Sequence, residues 1–161
     1  MRSLTRFTRA AATASAVALS ALALAGCTAH ADAGPSIAAT AAYIQQPTGK
    51  TTDGYFDIRN NGSATWLISV TTSVGGTVVF RAPVRSGVAP VVMHTVSEIP
   101  IPADSTVQLI PDSYHLLITD PGPMTDGHDI TLRLKFAHGR TITILALVTN
   151  PESGGSSYFL D

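Results

Sequence analysis

Beyond Cys27 no stretch of this chain keeps an apolar face at helical spacing for three turns, so it must be built from strands. Leu132, Leu134 and Phe136 alternate with Thr131, Arg133 and Lys135, the period of a strand with one buried face. Ala137-His138-Gly139-Arg140 makes a tight turn and Thr141-Ile142-Thr143-Ile144 resumes the alternation, so 130–148 reads as a β-hairpin. Tyr55-Phe56-Asp57-Ile58-Arg59 alternates too, and Asn60-Asn61-Gly62 is a strong turn signal. Further strands are expected at Trp66–Thr72, Thr77–Arg81, Val91–Val96, Thr106–Ile110 and Tyr114–Ile118, while Ile37–Ile44 is ambiguous. Seven or eight short strands at this spacing predict an all-β chain, an antiparallel β-sandwich with Greek-key character. The sandwich is expected over 37–151, followed by a flexible tail over 152–161 whose Tyr158-Phe159-Leu160 has the chemistry to dock.

The N-terminus is of another kind. Residues 1–9 hold Arg2, Arg6 and Arg9 and no acid, and Ala10 to Ala25 is an uncharged apolar run of 16 residues. That is the n-region and h-region of a secretory signal, short for a membrane span of about 20 residues. It ends in Leu24-Ala25-Gly26-Cys27, which resembles the bacterial lipobox. Residues 1–26 therefore read as a lipoprotein signal peptide. Cys27 is read as the lipidated residue carrying diacylglycerol, and 27–36 as a short tether of small and polar residues. Two acyl chains suffice for stable anchoring, which places the protein on the extracytoplasmic face of the cell membrane.

Cys27 is the one cysteine, so no intrachain disulfide and no multi-cysteine zinc or iron–sulfur site is available. Without the three signal arginines the chain has 7 basic and 11 acidic residues, a net charge of −4. Such a chain lacks the basic footprint that nucleic acid requires. Enzyme signatures are missing as well. There is no Gly-x-Ser-x-Gly, no phosphate-binding glycine loop and no His-Glu-x-x-His. The expectation is a protein that is not an enzyme.

What stands out instead is histidine with methionine: His30, His94, His115, His128 and His138 beside Met93 and Met124. Outside the cytoplasm this pairing suits copper, because thioether prefers soft Cu(I) and imidazole serves either oxidation state. Each residue alone has an ordinary reading, as a solvated surface histidine or a methionine filling a core gap.

From Tyr43 to Val148 the chain resembles the periplasmic copper chaperones of the PCuAC type. The resemblance rests on Tyr55-Phe56-Asp57-Ile58-Arg59-Asn60, on Met93 followed by Val96-Ser97-Glu98-Ile99-Pro100-Ile101-Pro102, and on Leu109-Ile110-Pro111-Asp112-Ser113-Tyr114-His115-Leu116-Leu117. It continues through Asp126-Gly127 and Leu132-Arg133-Leu134-Lys135-Phe136. It implies a cupredoxin-like β-sandwich that holds Cu(I) through a His, a Met and a His-x-Met, in that order. Met93 and His115, with 21 residues between them, keep the family's central spacing and are the metal ligands the resemblance implies. The first His falls at Arg81 and the last Met at Leu117. His94, Met124 and His128 are the auxiliary ligands within reach of the sequence reading. His94 would need a bulge or loop to share a face with Met93. His115 and Leu117 share one strand face and Tyr114, Leu116 and Ile118 the other, so if the second is core, His115 projects outward.

Two readings follow. In the first, the chain is a lipid-anchored copper carrier that passes Cu(I) to a cuproenzyme, with cytochrome oxidase as the recipient the resemblance implies. In the second, the same sandwich works without metal as an interaction or assembly module of the cell envelope, with Arg81 and Leu117 in its favour.

Overall fold

The structure is a computed structural model that describes residue 34 and residues 36–84 and 91–150. The signal segment, Cys27, His30 and the tail over 152–161 lie outside the described residues. Among the described residues ten strands run in the order β1 (Ile37–Gln45), β2 (Thr51–Asn60), β3 (Thr65–Thr72), β4 (Thr77–Pro83), β5 (Met93–Val96), β6 (Ile99–Ile101), β7 (Ser105–Leu109), β8 (His115–Thr119), β9 (Asp129–Phe136) and β10 (Thr141–Thr149). The all-β expectation holds, with more strands than foreseen. The ambiguous stretch from Ile37 is β1, and the expected hairpin is β9–β10 around a 3-10 turn at Ala137–Gly139. His138 takes a positive φ in that turn.

The strands hydrogen-bond in the order β5-β4-β8-β2-β1-β10-β9-β3-β6, with β7 also on β2. β2 is long enough to pair with two strands along one edge. Thr51 to Gly54 face β8, and Phe56 to Asn60 face β7. β1 joins the two halves of the sheet. It pairs with β2 antiparallel and with β10 parallel, so the sheet is not purely antiparallel as expected.

A bulge in β1 explains why its sequence was ambiguous. The register slips between Thr40 and Tyr43, and Ala41 sits at φ 53°. Before the bulge Ile37 and Ala39 turn to the core; after it Ala42 and Ile44 do. One extra residue thus reverses the inward phase, which no strict alternation can reveal. The same slip turns Tyr43 outward, opposite Tyr55 on β2.

Between the halves lies one apolar core. Phe56, Ile58, Phe80, Leu116 and Ile118 meet Leu67, Leu132, Leu134, Phe136, Ala146 and Val148 in a single cluster. In β9 the alternation works as read, with Ile130, Leu132, Leu134 and Phe136 buried. Gly54 is needed where β1, β2 and β8 crowd together. A Cβ there would lie 3.3 Å from Ile44 Cγ1 and 3.5 Å from Leu116 Cβ. All strand pairing is contained within Ile37–Thr149, so the chain from Thr28 onward carries the whole described fold.

Candidate metal centre

The relevant surface is the outer face of β5-β4-β8-β2-β1. On β8 Leu116 and Ile118 are fully buried while His115 and Leu117 are half-buried, so His115 does project outward. Across β4 the cross-strand partner of His115 is Arg81, and across β5 the partner of Arg81 is Thr95. Met93 lies opposite Pro83, two residues from Thr95, and so shares this face.

Met93 and His115 are therefore on one face but not on neighbouring strands. β4 runs between them, which sets their backbones roughly 10 Å apart or more. Arg81 fills the interval. Its Nη2 donates to the Met93 carbonyl oxygen at 2.8 Å and its Nη1 to Thr95 Oγ1 at 3.0 Å. The guanidinium thus leans toward β5 and away from β8. Leu117, in the final-ligand position, faces Val79 on β4 and Asp53 on β2 and offers no donor atom.

The auxiliary residues are dispersed. His94 pairs with Ala82, a core residue, so it lies on the reverse face of β5 from Met93, exposed at the strand edge. Met124 is 8% exposed and belongs to the core cluster. His128 is on the loop entering β9, where its Nδ1 lies 3.3 Å from the Asp126 carbonyl oxygen. In strand order β9 is four positions from β8.

On its other flank His115 has a different company. Its Nδ1 lies 3.0 Å from the carbonyl oxygen of Ser113. A carbonyl only accepts, so Nδ1 carries the proton and, in the neutral ring, Nε2 presents its lone pair. Nε2 is 3.8 Å from Asp53 Oδ1, the two side chains being 12% and 35% exposed. The Tyr55 ring lies 6.0 Å from the imidazole and the Tyr43 ring 5.0 Å from that of Tyr55, forming an aromatic row across β8, β2 and β1.

Burial pushes the Tyr55 hydroxyl well above the ordinary phenol range, and the charges of Asp53, Tyr43 and Asp112 add to the rise. Burial raises Tyr43 also. Both phenols therefore stay neutral. Among the described residues no three His, Cys, Asp or Glu side chains gather into a metal cage. Sequence reasoning missed Asp53 and Tyr55. Alternation places both on one face of β2, but only the β2–β8 register brings that face to His115.

A protein-family profile described as "Putative lipoprotein LpqE-like" matches residues 35–148. A curated protein of Leifsonia xyli subsp. xyli (strain CTCB07), "Putative lipoprotein Lxx21020", is 24% identical over 155 residues, covering 90% of this chain and 93% of that protein. Among solved structures, the copper-bound PCuAC domain from PmoF2 matches with a TM-score of 0.59 and 21% identity, over 71% of this chain and 93% of that one. The Cu(I) form of DR1885 from Deinococcus radiodurans matches at 0.56 and 23%, over 71% of this chain and 77% of that one. At these identities the likeness establishes the fold: the described sandwich is of the PCuAC, cupredoxin-like kind.

Proposed function

The chain belongs to the LpqE-like lipoprotein family, and from that premise we propose that it is an envelope copper carrier, anchored through Cys27, that delivers copper to a cuproenzyme such as cytochrome oxidase. The observation that carries this is the setting of His115. Its Nδ1 is tied to a backbone carbonyl, its Nε2 is turned to a half-buried outer face, and a carboxylate stands beside it. Metal-ligating histidines are typically oriented by just such a second-nitrogen bond. Solved relatives of the same fold hold copper.

His115 is the principal ligand in this reading, with Met93 supplying a thioether when the Arg81 side chain swings aside. A shallow site with few protein donors suits a carrier, because cargo that is weakly caged is readily surrendered. Only coordination bonds to the cargo form and break, so the carrier reading calls for no catalysed reaction. Delivery is tested by mixing the copper-loaded chain with a metal-free copper domain of cytochrome oxidase and following that domain's absorbance. Stoichiometric transfer supports the reading; retention of copper by the donor rules out delivery to this recipient.

Arg81 supports a second reading. A permanent cation in the position between Met93 and His115 opposes a metal shared by those two residues. If the sandwich works without metal, it is an envelope interaction module, and the chain then binds no copper under any redox condition.

A further inference from the structure

The carrier reading pairs Met93 with His115, but β4 and its Arg81 stand between those two residues. We propose that Asp53 and His115 form a chelating pair for a divalent transition metal, so that the metal they hold is Cu(II) in preference to Cu(I). The inference rests on the copper reading above but concerns a different partner residue and a different oxidation state.

Three observations converge. First, with Nδ1 donating to Ser113, Nε2 of the neutral ring and Asp53 Oδ1 are both acceptors, and they face each other at 3.8 Å. That is too long for a hydrogen bond, and it leaves both lone pairs open to a bridging cation. Bonds of about 2.0–2.2 Å from a divalent metal to imidazole nitrogen and carboxylate oxygen span this gap at an angle near 135°. A modest side-chain adjustment reduces the angle further.

Second, the pair is held by the sheet. Asp53 is the cross-strand partner of Leu117, which shares the outward face of His115, so the two side chains are diagonal neighbours on adjacent strands. Third, charge favours this flank. Arg81 stands on the β4 side with its guanidinium drawn toward β5 by Met93 and Thr95, whereas the β2 side carries Asp53, with Asp112 near enough to act on Tyr55. Imidazole with carboxylate is a harder donor set than imidazole with thioether, and it selects Cu(II). The remaining coordination positions are open to water or to a recipient's donor.

The test uses the chain from Ala31 onward, which contains every described strand and leaves out the Cu(II)-chelating Thr28-Ala29-His30 terminus, titrated with Cu(II) ions against a competing chelator and examined by electron paramagnetic resonance. The wild type is expected to bind one Cu(II) with a single imidazole signature. Asp53→Asn, nearly isosteric, should weaken binding at least about tenfold, the lower end of what even an outer-shell partner contributes. Asp57→Asn, a carboxylate on the same strand and face, should leave affinity unchanged and so exclude a general charge effect. His115→Ala should remove the imidazole signature. If His115→Ala abolishes binding while Asp53→Asn does not alter it, the chelate is overturned and the copper reading stands. If the wild type binds neither Cu(II) nor Cu(I), both fall. Unchanged melting of Asp53→Asn confirms that any loss is one of binding.

Discussion

At the scale of single residues, Arg81 bears most heavily on the proposed copper site. It stands where the resembling family has a histidine, and its guanidinium is fixed by the Met93 carbonyl and Thr95. At about 5 Å, the spacing of adjacent strands, and an effective dielectric of about 20, a unit charge opposes a cation by roughly 3 kcal/mol before screening. Arg81→His removes that charge and restores an imidazole. Its expected effect is a Cu(I) affinity at least about tenfold higher, read by chelator competition. No gain would mean that Met93 and His115 do not share a metal even without the charge between them. The tyrosines give a pH signature. Both phenols are raised by burial, so the folded state keeps protons that the unfolded state gives up above about pH 10. Stability should therefore fall as pH rises beyond that value. In an ultraviolet titration of the folded chain, Tyr55 should be the last of the described tyrosines to ionise. Normal ionisation of all of them would contradict the buried row beside His115.

At the scale of elements, β8 was legible almost completely. Its alternation gave the outward face of His115 and the buried pair Leu116 and Ile118, which the structure reproduces. β1 was not, because the bulge at Ala41 reverses its phase and hides the strand behind a broken alternation. Asp53 was missed for a related reason. Alternation assigns a side chain to a face, but register between distant strands decides which faces meet, and register is set by the whole sheet. The β1–β2–β8 contact is tight at Gly54, whose missing Cβ lets Ile44 and Leu116 close on the strand. Gly54→Val should cost about 1–3 kcal/mol through overpacking, measured by denaturant unfolding. Because Gly54 adjoins Asp53, the same variant should also loosen the Asp53–His115 pair. A neutral substitution would show that this junction has room to spare.

At the scale of the whole molecule, the sequence divides by chemistry into an apolar leader ending in Cys27 and a strand-rich remainder, and the described residues of that remainder form one sandwich around a single core. The family is described as one of lipoproteins, its match covering residues 35–148, and anchoring through Cys27 is part of the proposal. Cys27→Ser should abolish incorporation of labelled fatty acid into the protein, seen by metabolic labelling. Undiminished labelling of the variant would rule out the thiol as the anchor. The fold class could be read because alternation and turn residues are local signals, while the working face draws on β2, β4, β5 and β8 and exists only after assembly.

The central claim is that this sandwich holds copper through His115. The most direct measurement is an anaerobic Cu(I) titration of the chain from Thr28 onward against a chromophoric chelator, with the Met93→Leu/His115→Ala double variant beside it. Copper taken from the chelator by the wild type, and not by the folded double variant, is the predicted result. Equal competition by both folded proteins, or failure of the wild type to take up either Cu(I) here or Cu(II) in air, would contradict the account.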